Sequence, residues 1–375
     1  MYQLILKHLF IGVIALLAIT SCNDQNMVQN TPPQSDSQEQ LQKAKGAGGE
    51  VIPGEYIVVF KDPWEGRINN EVAQEARQFV NNKIETFGIK EQNVKSRYEY
   101  ALRGFAATLT EAQLEAIKKN PQVDFVEQNR RFNGIEGTTS MTTTSAVVRK
   151  NTIMSQTTPW GITRVGGAQN GVGKKAWVLD TGIDLDHPDL NVDVGNSVSF
   201  VGGESADDLN GHGTHVAGIL AAKDNSTDVV GVAAGATVVS VKVLDQYGFG
   251  NTQDVVDGIN YVAGRASSSH IINMSLGLYN PSGSVTSIDY AVNNVANSGL
   301  RFTIAAGNDG VDANYQTPAR VENANIWTVS AFDINDQFAS FSNYGNPPID
   351  YSGPGVDIPS LWKNGGTNTI SGTSM

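Results

Sequence analysis

The sequence predicts an α/β protein in which a doubly wound parallel sheet follows a small ferredoxin-like α+β domain. In the C-terminal part of the chain, near-continuous apolar runs alternate with helical stretches, as in parallel sheets that are buried on both faces. In the N-terminal part, strand and helix signals follow the order βαββαβ, which is the ferredoxin-like arrangement. The chain has 375 residues, 40% of them hydrophobic and 17% charged, so it can bury a large core and is unlike a disordered protein.

Five apolar runs predict the strands of the large sheet, and three amphipathic stretches predict the helices between them. The strands are expected at 176–180, 238–244, 271–276, 302–306 and 326–332, and the helices at 212–222, 252–266 and 287–298. Ligands of such sheets bind beyond the carboxyl ends of the strands. That rule singles out Asp180, the turn Ser275-Leu276-Gly277, and Gly307-Asn308.

The predicted N-terminal domain has strands at 56–60, 94–100, 105–108 and 123–126, and helices at 72–87 and 110–120. Thr110 and Gln113 have the spacing of a capping box at the start of the second helix. The domain contains neither histidine nor cysteine. We therefore expect no catalytic chemistry in it.

Charge excludes some classes of function. The net charge is −12, which argues against a nucleic-acid partner. Most of the acidic excess lies in residues 158–375, with 21 acidic and 9 basic side chains. Solubility is the commoner reason for such an excess, and cation binding is the alternative. Cys22 is the one cysteine, so no intrachain disulfide can form.

The first residues have the pattern of a targeting segment. The apolar run 9–19 is too short to span a bilayer as a helix but suits the apolar region of a signal peptide. It ends just before Cys22, in a stretch that resembles the lipobox of bacterial lipoproteins. The alternative is an ordinary signal peptide with an incidental cysteine. Residues 23–49 are rich in Gln, Asn, Ser and Pro and predict a disordered tether.

Three short motifs supply the residue types needed for nucleophilic acyl transfer. Asp180 ends a strand, His212 opens a helix, and Ser374 lies in the last turn of the chain. Serine is a weak nucleophile, so a histidine must accept its proton while a carboxylate orients the imidazole. Each signal is weak alone. His212 and His215 could instead form a metal pair, but zinc helices usually place their histidines four residues apart with an acidic residue between them.

Together these motifs resemble the subtilisin-like serine peptidases, family S8, and within them the proteinase K branch. The resemblance is carried by Val178-Leu179-Asp180-Thr181-Gly182-Ile183-Asp184, His212-Gly213-Thr214-His215-Val216-Ala217-Gly218 and Ser371-Gly372-Thr373-Ser374-Met375. Residues 55–129 resemble the I9-type inhibitor propeptide of these enzymes. The resemblance implies a secreted serine endopeptidase precursor, extracellular and monomeric, that acts on proteins and peptides and carries its propeptide as an intramolecular inhibitor. It implies no organic cofactor.

The resemblance also implies roles for individual residues. Asp180, His212 and Ser374 match the catalytic triad, and Asn308 matches the oxyanion-hole asparagine. The substrate-binding edges match Gly248, Phe249, Gly250, Ser275, Leu276 and Gly277. A structural calcium site is implied at Asp189 and Asn225, with carbonyls of Lys223, Thr227 and Val229, although Asp228 stands where the family usually has glycine. Asp350 matches a second calcium site, with carbonyls near Ala324 and Ile326.

The expected organisation has five segments. These are a signal peptide with lipobox at 1–22, a tether at 23–49, a propeptide domain at 50–132, a linker at 133–158 and a peptidase domain at 159–375. We expect the linker to be exposed and to contain the cleavage site, between Lys150 and Thr158. Family members continue into a buried helix after the serine, so the resemblance implies that this domain is C-terminally incomplete. The alternative function is therefore an inactive fragment whose only folded part is the inhibitor-like domain. We expect residues 1–375 expressed alone to remain inactive.

Overall fold

The computed structural model describes residues 49–61, 67–135, 139–140 and 155–375. All of them belong to one compact unit, Gln38–Met375. The predicted signal segment, nearly all of the predicted tether and most of the predicted linker lie outside the described residues. Within the described ranges, no helix has both the length and the apolar character that a membrane span requires.

The N-terminal domain is the predicted βαββαβ unit. The elements are β1 (Glu50–Phe60), α1 (Asn70–Thr86), β2 (Val94–Tyr98), β3 (Gly104–Thr108), α2 (Glu111–Lys118) and β4 (Val123–Asn133). The antiparallel sheet of this domain has the order β4-β1-β3-β2. The capping box forms as expected: Thr110 Oγ1 accepts from the Gln113 amide, and the Gln113 side chain accepts from the Thr110 amide.

The sheet of this domain is covered on both faces, which follows from the alternation of side chains along β1. Val58 and Phe60 pack on the domain's own helices. Ile57 and Val59 point the other way and join a core cluster with Val255 and other residues of the peptidase domain. Because successive residues of a strand face opposite sides, a continuous apolar strand needs two partners. The peptidase domain supplies the second.

The C-terminal part forms the predicted doubly wound sheet. The strands after β4 are β5 (Thr139–Ser140), β6 (Gln169–Asn170), β7 (Lys175–Asp180), β8 (Asn191–Val192), β9 (Val198–Ser199), β10 (Ala233–Ala234), β11 (Thr237–Lys242), β12 (Phe249–Asn251), β13 (Ile271–Met274), β14 (Leu278–Tyr279), β15 (Arg301–Ala305), β16 (Gln316–Thr317), β17 (Ile326–Phe332), β18 (Tyr351–Pro354), β19 (Ile358–Trp362) and β20 (Gly366–Ser371). The large sheet has the order β18-β17-β15-β13-β7-β11-β8, with β9 also on β11, and every pairing in it is parallel. The helices are α3 (Trp160–Arg164), α4 (His212–Ala221), α5 (Thr252–Ala263) and α6 (Ser287–Asn297).

The helices bury both faces of this sheet. Residues of α4 such as Val216 and Ala217 form one apolar cluster with Val178 and Val238 of the central strands. Helices α5 and α6 form another with the opposite face, which includes Leu179. Strand β7 therefore has side chains in both clusters, as its uninterrupted apolar sequence predicts.

The parallel arrangement brings the polar strand ends to one edge. Strand β7 ends at Asp180, β13 ends just before Ser275, and β15 ends just before Gly307 and Asn308. Helix α4 begins at His212, close to the end of β7. The carboxyl ends of the central strands thus carry the candidate residues.

Candidate active site

Asp180 and His212 form a buried hydrogen-bonded pair. The distance from His212 Nδ1 to Asp180 Oδ1 is 2.8 Å. Because a carboxylate only accepts hydrogen bonds, Nδ1 must carry the proton. The Asp180 oxygen also accepts from the Thr181 amide at 2.7 Å, which fixes the carboxylate. His212 Nε2 is therefore the basic nitrogen. It is buried and has no hydrogen-bond partner among the described residues.

Burial and nearby charges shift the pKa of His212 in opposite directions. Burial is the largest single effect and lowers the pKa of the imidazole. The charge and hydrogen bond of Asp180, together with the charge of Asp208, outweigh burial, so the pKa lies above its usual value. His215 differs: burial, with the neighbouring His212, lowers its pKa to about 3. A neutral His215 donates from Nε2 to the Ile358 carbonyl at 3.0 Å.

Ser374 lines the same cleft as Asn308. Its hydroxyl donates to the Ser275 carbonyl at 3.4 Å, and no described contact joins it to His212 Nε2. The next residue, Met375, packs on the apolar cluster that contains Val216 of α4. The turn with Ser374 and the helix with His212 therefore share one core, although the hydrogen bond between the two side chains is not formed.

Asn308 is held at its oxygen. The Asn308 Oδ1 atom accepts from the Thr373 amide at 2.8 Å and from the Thr373 hydroxyl at 3.0 Å. The amide nitrogen is then the donor end of the side chain. Asn308, Ser374 and the Ser275-Leu276-Gly277 turn line one cleft.

The end of β4 lies along two backbone edges at this cleft. On one side β4 pairs with β12, with Phe249 opposite Asn133 and Gly250 opposite Phe132. The Gly134 amide continues this edge, donating to the Gly248 carbonyl at 2.9 Å. On the other side, the Gly277 amide donates to the Gly134 carbonyl at 3.0 Å.

The start of the predicted linker is consequently not exposed. Gly134 is buried and Asn133 and Ile135 are half-buried, because main-chain hydrogen bonds on both sides hold this segment. Farther on, Thr139 and Ser140 pair antiparallel with β20, the strand that leads to Ser374. Expecting exposure over the whole of residues 133–158 was therefore wrong for residues 133–135.

Polar groups that sequence analysis missed hold the two domains together. Glu127 of β4 accepts from the Ser287 amide, the first of α6, at 2.6 Å, and Asn129 accepts from the Gln253 amide near the start of α5 at 3.1 Å. Both occupy the positive end of a helix dipole. Asn260 Oδ1 accepts from three successive amides, those of Glu99, Tyr100 and Ala101, at 3.2, 2.9 and 3.1 Å.

Asp208 is a further residue that sequence analysis missed, and it lies behind the Asp180–His212 pair. Its Oδ1 atom accepts from the Thr181 hydroxyl at 3.0 Å and from the Asn210 and Gly211 amides at 2.9 and 2.8 Å. Its Oδ2 atom accepts from the Thr214 amide at 2.9 Å and the Thr214 hydroxyl at 2.6 Å. The sequence offered no signal for it beyond an acidic residue four positions before a histidine.

Asp189 and its neighbours offer several oxygen atoms. Asp189 is buried, and burial raises its pKa to about 6. One carboxylate oxygen accepts from Asn225 Nδ2 at 2.5 Å, while the other has no partner among the described residues. The carbonyls of Lys223 and Val229 converge on Gln156 Nε2, at 2.7 and 3.3 Å.

Two observations bear on whether this region can bind a cation. Asp228 adopts a positive φ of 53°, so the loop keeps the left-handed turn that glycine favours. Within the described ranges, no group of three or more His, Cys, Asp or Glu side chains could hold a metal ion; carbonyls would have to complete the coordination. The second predicted site differs: Asp350 is exposed and accepts from the Thr328 amide at 2.8 Å.

Both domains match known protein families. The subtilase family, Peptidase S8, matches residues 173–375, and the Peptidase inhibitor I9 family matches residues 55–133. The extracellular serine proteinase of Thermus sp. (strain Rt41A) is 34% identical over 97% of this chain and 85% of its own length. The thermostable alkaline protease of Halalkalibacterium halodurans is 41% identical over 72% of this chain and 68% of its own length.

Among solved structures, a cold adapted subtilisin-like serine proteinase is 38% identical, with a TM-score of 0.49, covering 58% of this chain and 79% of that one. The family matches establish the class: the chain belongs to the subtilase family and carries an I9 inhibitor domain. It is a subtilisin-like serine endopeptidase precursor. These matches favour that function over an inhibitor-like fragment.

Proposed function

We propose that Asp180, His212 and Ser374 form the catalytic triad of this peptidase. The observation that carries the assignment is the buried 2.8 Å contact from His212 Nδ1 to Asp180, which leaves Nε2 as the basic nitrogen. In the reactive complex, the Ser374 hydroxyl exchanges its weak bond to Ser275 for one to His212 Nε2. Catalytic hydrogen bonds often tighten only when substrate is bound.

The reaction then proceeds by acyl transfer. Ser374 Oγ attacks the scissile carbonyl while His212 Nε2 takes the hydroxyl proton, and the same imidazolium returns that proton to the leaving amine. A water molecule, deprotonated by His212, hydrolyses the acyl-enzyme. Asp180 stays ionised throughout, fixing the tautomer and stabilising the imidazolium.

The proposed oxyanion hole combines Asn308 Nδ2 and the Ser374 amide. Support comes from the Asn308 oxygen, which Thr373 holds in place, so that the amide nitrogen is pre-oriented. Loss of one such donor raises the barrier by about 3 kcal/mol. Asn308→Ala should therefore lower kcat by about a hundredfold or more, with a much smaller effect on KM.

Substrate binds as an added β-strand between two backbone edges, Gly248-Phe249-Gly250 and Ser275-Leu276-Gly277. Support comes from the end of β4, which occupies both edges in the precursor. The propeptide domain is thus an intramolecular inhibitor. Because residues 131–134 already lie in the cleft and Thr139 pairs beside β20, these contacts favour a first cut soon after Gly134, earlier than the expected 150–158.

The Asp189 region fits a structural calcium ion. The support is the orphaned Asp189 oxygen together with the nearby Lys223 and Val229 carbonyls, which both accept from Gln156 Nε2. Asn225 and the Thr227 carbonyl would complete the set, after the Asn225 amide turns its oxygen inward. Bound calcium would neutralise the buried carboxylate and stabilise the loop. The second site, at Asp350, stays a prediction.

We also propose export. The relatives from Thermus sp. and Halalkalibacterium halodurans are named an extracellular proteinase and an alkaline protease, and the first 22 residues have the pattern of a signal peptide. Lipidation at Cys22 would place the anchor on the propeptide side of the cut, so maturation would release the peptidase domain. Membrane fractionation of the wild type and Cys22→Ser tests this. Mature enzyme retained through Cys22 would contradict it.

Kinetics on the full-length gene product test the triad. Ser374→Ala, His212→Ala and Asp180→Ala should each remove most hydrolysis of a chromogenic peptide, and their effects should not add. Ser282→Ala, a serine on an exposed turn, is the matched control. Turnover by Ser374→Ala close to that of the control would refute the assignment.

A further inference from the structure

We propose that Asp208 is a positioning residue for His212: its carboxylate is the N-terminal cap of α4 and fixes the start of that helix against the end of β7. The inference builds on the proposed function, because it treats His212 as the general base. Asp208 touches neither substrate nor the imidazole ring. It acts through the backbone that carries His212.

The need for an external cap follows from Gly211. This residue is the N-cap of α4, with φ of +115° and no side-chain cap of its own. A Cβ at Gly211 would lie 2.3 Å from the Trp362 ring, so Ser, Thr, Asp and Asn, the usual capping residues, are excluded there. The free amides at the helix start must find another acceptor.

Asp208, Thr181 and Asn210 supply these acceptors, and Asn210 Oδ1 accepts from the His212 amide at 3.1 Å. Asp208 accepts from the Gly211 and Thr214 amides at 2.8 and 2.9 Å. The Thr181 hydroxyl accepts from the Gly213 amide at 3.0 Å and donates to Asp208 at 3.0 Å. Because Thr181 directly follows Asp180, this network joins the backbones on both sides of the Asp180–His212 pair.

The carboxylate of aspartate suits this position better than the carboxamide of asparagine would. Asp208 is 3% exposed and accepts five hydrogen bonds with two oxygens. An asparagine would present one oxygen and direct an NH₂ group at an obligate donor, either the Gly211 amide or the Thr214 amide. The negative charge of Asp208 also favours protonated His212. The position therefore affects both the orientation and the basicity of the imidazole.

Other charged groups lie near the pair on neighbouring elements. Lys242 of β11 donates to the Thr181 carbonyl and forms an ion pair with Glu204 at 3.0 Å. Asp184, in the loop after β7, bonds through its amide to Thr214 Oγ1 at 2.9 Å, and neutral His215 lies one helical turn from His212. Removing the Asp208 charge leaves all of these in place.

The test compares Asp208→Asn with Asp207→Asn. The control removes the same charge one residue away, where the carboxylate accepts from the Leu185 amide at 3.1 Å. We expect Asp208→Asn to lower kcat by about 10- to 100-fold, the scale of a slightly misplaced catalytic group, with KM changed less than about twofold. The pKa of His212, followed by NMR in a Ser374→Ala background, should fall for Asp208→Asn and not for the control.

Two results would overturn the proposal: a folded Asp208→Asn enzyme with the kcat of the control, or an unmoved His212 pKa. If Asp208→Asn does not fold, Thr181→Val removes the bridging hydroxyl and keeps the charge. Thr181→Val should lower kcat without raising KM, and unchanged kcat in that variant would also refute the proposal. Because the NMR titration needs no turnover, it stands apart from the triad test, which fails only if Ser374→Ala keeps activity.

Discussion

His212 is the residue at which burial and charge compete. Burial disfavours the imidazolium, and the Asp180 contact at 2.8 Å with the Asp208 charge more than offsets it. A base must be neutral to accept a proton, so a raised pKa makes the enzyme lose activity already at mildly acidic pH. The same raised pKa means that His212 stabilises the fold below its ordinary pKa, and that this stabilisation is lost as pH rises through the folded value.

The acidic limb of kcat/KM against pH should therefore have a midpoint above the ordinary histidine value. Asp180→Asn should lower kcat by roughly 10⁴-fold, as expected for a lost tautomer-fixing carboxylate, and should move the limb to lower pH. Asp224→Asn, a change at an exposed carboxylate, should leave both unchanged. A limb that stays in place in Asp180→Asn would show that another group controls it.

Strand β4 shows what sequence could and could not predict at the scale of elements. Its existence, and the capping box at Thr110 and Gln113, follow from local patterns. Its extension as far as Asn133 does not, because Arg131, Phe132 and Asn133 pair with β12, more than 110 positions away. The large sheet was predictable because its apolar runs are continuous. Strand β13 stops at Met274, short of the predicted Leu276, and beyond it the Gly277 amide donates to the Gly134 carbonyl, far away in sequence.

The same distinction applies to the site. Asp180, His212 and Ser374 stand in short motifs, so each was visible as a candidate. Asp208 and Asn260 were not, because their functions depend on backbone amides that other elements present to them. A lone Asp or Asn has the same sequence signal on a surface. Residues that act on backbone groups at long range are those that sequence analysis misses.

Gly248 tests the binding edge. Its φ is +83°, and a Cβ there would lie 2.5 Å from the Ile135 side chain. Gly248→Ala should therefore weaken propeptide docking and raise KM for peptides. Gly283→Ala is the matched control, since Gly283 has a φ of +66° with nothing within 4 Å and so shares the backbone strain without the clash. Equal KM values for the two variants would contradict strand addition along β12.

At the scale of the whole molecule, the interface between the domains holds carboxyl groups that titrate near neutrality. Burial raises the pKa of Asp257 to about 6, and burial with the charges of Asp257 and Glu55 raises that of Asp254 to about 7. Asp257 accepts from Ser96 of the propeptide domain at 2.8 Å, so propeptide docking contributes to its burial. Lys95 pairs with Glu55 at 3.1 Å.

Docking should accordingly weaken as pH rises. In the free peptidase domain these two pKa values would return toward the usual value of about 3.9, so docking takes up protons between that value and about pH 7. As pH rises through that window, the docking constant should fall by up to about tenfold per pH unit for each proton taken up. Docking should therefore be strongest at pH values below the window. Asp257→Asn, which is neutral at every pH, should dock with a weaker dependence on pH.

Hydrogen exchange in a Ser374→Ala background measures this without cleavage. The amides of Glu99, Tyr100 and Ala101 bond to Asn260 across the interface, so their protection, corrected for intrinsic exchange, reports docking. It should fall from about pH 5 to about pH 8 in Ser374→Ala and fall less in the double variant with Asp257→Asn. The Val58–Phe105 pairing within the propeptide sheet serves as internal reference. Protection independent of pH would refute this linkage.

The most direct test of the account is covalent labelling of the nucleophile. A fluorophosphonate probe reacts with a serine hydroxyl only when a neighbouring base activates it. Peptide mass mapping of the full-length protein, after the propeptide is removed, should find one adduct, on Ser374, and none in His212→Ala. An adduct on Ser275 or Ser371 instead, or labelling of Ser374 that survives His212→Ala, would contradict the claim that His212 activates Ser374.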